Sequence, residues 1–326
     1  MLYGIDSCLR PLRGQLLFIL LAAAPCVGAA WLTSADGQVK GPATTVDICG
    51  SAIDVRFEGE TNAATRADLL NWVRRAGEAV CTYYGKFPVS RLKLDVRIRG
   101  GAGVHGGVTF PDNDGYINIS LGEGTTVTQL NDDWMLTHEM IHLAFPSMAR
   151  KHHWIEEGIS VYVEPVARVQ AGQLSAERMW HDVVRDIPQG EPEAGDQGLD
   201  NTHTWGRTYW GGAMFCLIAD VRIREQTRDK KGLQDALRGV LAAGGNITQD
   251  WEIERALAAS PFNDSPVILW TSTLDSDRSN LAVVPSRSDS IHGGFHESLR
   301  RELRDCACRH RCIERRPSRR RGPQAP

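Results

Sequence analysis

The spacing of apolar side chains changes once along this 326-residue chain, and that change limits the folds open to it. Ile53, Val55 and Phe57 alternate with polar residues, as do Leu92, Leu94, Val96 and Ile98, and then Ile117, Ile119 and Leu121. Period-two alternation marks strands with one buried face. Between the first two lies a stretch, 63–84, with Leu69, Trp72, Val73, Ala76, Val80 and Tyr83 at three-to-four spacing, and Gly85 stops it. From about residue 127 the period is helical throughout: 128–144, 154–170, 174–186, 206–226, 231–243 and 250–259. A small N-terminal sheet with one helix, followed by helices alone, is an α+β order.

The ends of the chain read differently from its middle. Arg10 and Arg13 precede an apolar run from Leu16 to Ala24, and small residues follow to Ala29. That order is a signal peptide over 1–29, so the chain is expected to be secreted or periplasmic, with an uncleaved N-terminal anchor as the rival. No later stretch is apolar enough to span a membrane. Residues 30–260 form the expected folded domain. Beyond them, 261–326 reads as a basic, disordered tail. In its last forty residues 11 Arg face 5 Asp and Glu, so with 37 basic and 40 acidic residues overall the first 286 carry a net −9. An acidic body argues against nucleic acid as a partner. Export permits disulfides. Cys49 and Cys81 are the expected pair, Cys216 is a buried thiol within an apolar helix, and Cys306, Cys308, His310 and Cys312 match no usual zinc-finger spacing.

Residues 137–142 read Thr-His-Glu-Met-Ile-His. His138 and His142, four apart on a helix, project from one face and can grip one ion. Glu139 between them is placed to take a proton from a water that the ion activates. The flanks (Trp134, Met135, Leu136, Met140, Ile141, Leu143) are apolar, so the helix is buried and its polar residues need a purpose. A catalytic zinc site takes three protein ligands and leaves one position open. Glu157 follows His142 after 14 intervening residues, room for a turn and a returning helix.

At these residues the chain resembles the gluzincin metallopeptidases, in particular the peptidase MA-like and M1 aminopeptidase-like groups, through HEMIH followed by Trp154-Ile-Glu-Glu-Gly-Ile-Ser160. The resemblance covers roughly residues 90–260 and implies a zincin-like fold, a Zn2+ cofactor and a peptide or protein substrate. It puts Glu157, directly before Gly158, on the third-ligand position, and leaves Glu156, about 100° away on a helix, as surface charge. Tyr209-Trp-Gly-Gly-Ala213 resembles the M1 segment whose tyrosine supports the oxyanion, which implies that role for Tyr209. The connection from His142 to Glu157 is shorter than the family's. The Gly-x-Met-Glu-Asn segment that holds a substrate's amino group has no counterpart. Gly106-Gly-Val-Thr-Phe110 stands in its region, suited to an edge strand along which a peptide lies but without a carboxylate.

The implied function is zinc-dependent peptide hydrolysis with Glu139 as general base. The alternative is a zinc-binding envelope or secreted protein without turnover. Other residues are expected to do less. His152 and His153, beside Arg150 and Lys151, read as a basic turn. The glycine-rich stretch 99–107, with His105, reads as a turn, and the acidic Gly/Pro segment 188–204, with His203, as a mobile loop.

Overall fold

The computed structural model describes residues 42–112 and 114–259. The expected signal segment, the Arg-rich tail and the cysteines within them lie outside the described residues. Among the described residues no helix is long and apolar enough to cross a membrane.

Five strands form one mixed sheet: β1 (Thr44–Ile48), β2 (Ser51–Glu58), β3 (Arg91–Arg99), β4 (Val104–Phe110) and β5 (Tyr116–Gly122), in the order β1-β2-β3-β5-β4. β2, β3 and β5 run parallel to their neighbours in that trio, while β1 and β4 are antiparallel to theirs. The alternation seen in the sequence is the sheet's two-sidedness. Ile53, Val55, Leu92, Leu94, Val96, Ile117, Ile119 and Leu121 are fully buried. Their neighbours carry the polar face, where Arg91 pairs with Asp54 at 2.6 Å and Arg97 with Glu58 at 3.7 Å.

Helix α1 (Arg66–Tyr84) opens with a capping box between Thr65 and Asp68 and ends at Gly85. A disulfide joins Cys81 in its last turn to Cys49 after β1, the expected pairing. Cys216 is a buried free thiol, also as expected. The helical half follows: α2 (Val127–Asp132), α3 (Met135–His142), α4 (His153–Gln170), α5 (Ala176–Asp186), a π turn (Arg207–Gly211), α6 (Gly212–Thr227), α7 (Leu233–Ala242) and α8 (Ile253–Ala258). The architecture is α+β.

Three local readings change. The helix expected over 128–144 is broken at Asp133, whose backbone is extended and whose carboxylate accepts from the Met135 and Leu136 amides and from Trp72 Nε1. Asp133 therefore starts α3 as a separate helix. The glycine-rich stretch is not only a turn, since β4 begins at Val104 and pairs with β5 through Gly107, Val108 and Thr109. Segment 188–204 is tied down rather than loose. Asp196 lies 2.6 Å from Arg207 in a buried ion pair, and Asp200 accepts from His152 at 2.8 Å and Trp154 at 2.7 Å.

Two features bring the functional residues together. β4 is an outer strand of the sheet, and α3 packs beneath it. α4 crosses α6 so closely that a Cβ on Gly158 would lie 2.3 Å from the Gly212 carbonyl carbon. Glycine at both positions removes the side chains that would hold the two helices apart.

Candidate metal centre and cleft

α3 supplies His138, Glu139 and His142, and α4 supplies Glu157 near its start. The two imidazole Nε2 atoms stand 3.2 Å apart, and Glu157 Oε2 lies 3.3 Å from His138 Nε2 and 3.5 Å from His142 Nε2. One ligand atom from each residue falls within 4.8 Å of the others. His138 and Glu157 are buried and His142 is nearly so. Three lone-pair donors converging in a buried site repel one another unless a proton or cation lies between them. The His2Glu set is the one that catalytic zinc takes with a fourth position open. These residues fit the ion.

The electrostatics agree. Burial opposes the charge on Glu157, but hydrogen bonds from His138 and His142 outweigh it and hold the carboxyl well below the usual range. Burial likewise opposes a charged His142, and Glu157 outweighs it, so the imidazole is raised above its ordinary value. The group thus attracts positive charge strongly.

Glu139 is held from above by β4. Thr109 Oγ1 lies 2.6 Å from Glu139 Oε2 and 2.9 Å from its backbone oxygen. Glu139 fits there because residue 107 is glycine, where a Cβ would stand 2.6 Å from Glu139 Cγ. Sequence reasoning named Gly107 and Thr109 only as part of an edge strand and gave neither a role toward Glu139. The signal available was the GGVT run itself, in the region where the M1 pattern has its carboxylate.

Tyr209 reaches the site from the π turn. Its hydroxyl hydrogen-bonds Glu157, and burial together with the charges of Glu157 and Glu139 pushes its pKa up to about 12. It is therefore a neutral hydroxyl at physiological pH. Trp205 stacks on its ring at 5.7 Å. π turns inside helices cluster at functional sites.

Two residues expected to be incidental are placed otherwise. His153 is not merely part of a basic turn, for its Nε2 lies 3.3 Å from Glu157 Oε1 and its Nδ1 3.0 Å from Glu156 Oε2. Glu156 is more than surface charge, since its Oε1 accepts from the Met148 amide at 3.1 Å and so closes the connection between α3 and α4. His152 turns away to Asp200. A cleft of about 510 Å³ opens beside His138 and Tyr209 and runs between α4 and α5.

No protein-family model and no curated protein matches this chain. Among solved structures it is similar to an aminopeptidase N family protein from Idiomarina loihiensis, at 15% identity and TM-score 0.56, over 76% of this chain and 47% of that one. The two share a zincin-like fold. An M1 zinc metallopeptidase from Deinococcus radiodurans aligns at 11% identity and TM-score 0.45, over 77% of this chain and 55% of its own. The chain spans about half the length of these proteins.

Proposed function

We propose that the chain is an exported zinc-dependent peptidase of the gluzincin type, with residues 30–260 as its catalytic unit, residues 1–29 as an export signal and 261–326 as a basic tail. The observation that carries the reading is the convergence of His138, His142 and Glu157 with Glu139 fixed beside them by Thr109. The fold it shares with an aminopeptidase N family protein supports it.

His138, His142 and Glu157 would hold the zinc ion. When bound, zinc supplies a Lewis acid that polarises a carbonyl and lowers the pKa of water towards 7. Glu139 acts as general base on the attacking water and later returns the proton to the leaving amine. Thr109 keeps its carboxylate in one orientation between those two transfers. Tyr209, neutral and already donating to Glu157, turns its hydroxyl to the oxygen on which charge develops. β4 is an edge strand of the sheet, with Val108 and Phe110 exposed, and an extended peptide can pair along it.

The distinguishing experiment is Glu139→Gln in the full chain, assayed on denatured casein with zinc measured in parallel. The expected outcome is full zinc content with hydrolysis abolished. Equal hydrolysis in variant and parent would remove Glu139 from the chemistry, and no hydrolysis in a zinc-loaded parent would favour the non-catalytic zinc-binding alternative.

A further inference from the structure

The cleft beside the metal group has a composition that names its occupant. His138 and Tyr209 stand at one end of its 510 Å³, so whatever fills it lies next to the reacting bond. Its walls are mainly apolar and aromatic: Trp134, Val161, Pro165, Met179, Val183 and Trp210. Trp134 and Trp205, about half and more than half exposed, flank it with large rings, Trp134 edge-on to His138 and Trp205 stacked on Tyr209. Large aromatic faces beside an open cavity are the usual walls of a site for an aromatic group.

The charged residues in the lining decide which aromatic group. Buried Arg168 donates to Glu164 Oε1 at 2.9 Å and to the backbone carbonyls of Asn131 and Asp132 at 3.5 and 3.3 Å. Its charge is therefore committed, and a substrate carboxylate gains little from it. Arg178 and Arg185 are likewise each 2.7 Å from Asp182. Glu164 Oε2 accepts no hydrogen bond among the described residues, so this buried carboxyl offers one free acceptor to the cleft. A cation brought to it would compete with Arg168 and lose its own hydration. A neutral hydroxyl does not compete with Arg168 for the charge and loses far less hydration. Burial, opposed by Arg168, pushes the Glu164 pKa up to about 7, which further weakens its hold on cations near neutral pH.

The geometry points to a side-chain pocket for an aromatic residue flanking the scissile bond, with tyrosine preferred over phenylalanine through its hydroxyl and Glu164 Oε2. The inference rests on the peptidase reading for the word scissile, but the pocket itself does not need turnover. Glu164 acts here as a specificity residue. α5 supplies the alterable wall, because Met179, the buried residue of that helix, lines the cleft and a larger side chain there would occupy it.

The test has two arms on the full chain. N-acetyl-L-tyrosinamide is titrated against intrinsic tryptophan fluorescence in the parent and in Met179→Trp, with N-acetyl-L-lysinamide as the cationic comparison. In parallel, fluorogenic peptides that differ only in the residue beside the cleaved bond (Ala, Phe, Tyr, Lys) are compared by kcat/KM. The expected result is saturable binding of the tyrosine probe, weaker binding of the lysine probe, and a Tyr-to-Ala ratio of about tenfold or more that Met179→Trp collapses. Glu164→Gln should reduce the Tyr-to-Phe ratio while leaving the Phe-to-Ala ratio in place. Probe binding sensitive to Met179→Trp in a chain that cleaves nothing would keep the pocket and remove the peptidase reading. Cleavage with no aromatic preference, lysine bound as well as tyrosine, or no probe binding would each overturn the pocket.

Discussion

The wall of the cleft that holds His138, His142 and Glu157 is made of two helices, whereas the wall that holds Tyr209 is a long segment, 188–206, feeding one π turn. The first is positioned by periodicity and close packing: one turn separates the two histidines, and Gly158 against Gly212 sets where Glu157 stands. The second is positioned by polar anchors at points with no repeating spacing, namely Asp196 on Arg207 and Asp200 on His152 and Trp154. The two walls meet at α6, which continues directly from the π turn and crosses α4. A wall made of helices should fail as a fold when it is disturbed. One made of anchors should fail in catalysis alone.

The largest expected effect is on the helical wall. Gly158→Ala places a methyl group where only 2.3 Å separates the Cβ position from backbone, with no flexible side chain to move aside. A cost of about 3 kcal/mol is expected, seen as a melting temperature lower by roughly 6–12 °C for a domain of this size, together with weakened zinc binding. A variant with unchanged melting and zinc would show that the crossing does not set the site.

Next comes Tyr209→Phe, which removes the hydroxyl but keeps the ring stacked on Trp205. Turnover should fall about 10²-fold while zinc content stays the same. Unchanged turnover would take Tyr209 out of the chemistry and leave it a cleft wall. The smallest effect is expected from Asp196→Asn, which weakens the ion pair under the π turn. A fall in kcat of about tenfold, with zinc and KM little altered, would mark Asp196 as a residue that aims Tyr209. Loss of zinc there would erase the distinction between the walls.

The same contrast explains what the sequence disclosed. The α+β order, most strand and helix cores, the His138–His142 pair and Glu157 follow from periods of two and 3.6 and from one compact motif. The Cys49–Cys81 pairing was expected because Cys49 precedes a strand and Cys81 closes a helix, and the disulfide is there. The first half of β4 was read as a turn because Gly106 and Gly107 carry no alternation, although Gly106–Phe110 was also read as suited to an edge strand; pairing with β5 extends it, and Glu139 needs the missing side chain at Gly107. β1 was overlooked since only Val46 and Ile48 alternate there. The break at Asp133 rests on its local bonds to the Met135 and Leu136 amides, masked by the apolar periodicity, and on Trp72, 61 residues away, a contact no local pattern announces. His153 looked like one charge in a basic cluster because its contact with Glu157 appears only once α4 begins at that residue. Thr109 and Asp196 act through single long-range contacts, which leave no periodic trace.

The most direct test of the account is elemental analysis of the purified full chain beside its Glu157→Ala variant. One zinc per chain in the parent, clearly depleted in the variant while both remain folded, is the predicted result. A well-folded parent with no zinc, or a variant that binds it equally well, would contradict the reading of His138, His142 and Glu157 as one metal centre.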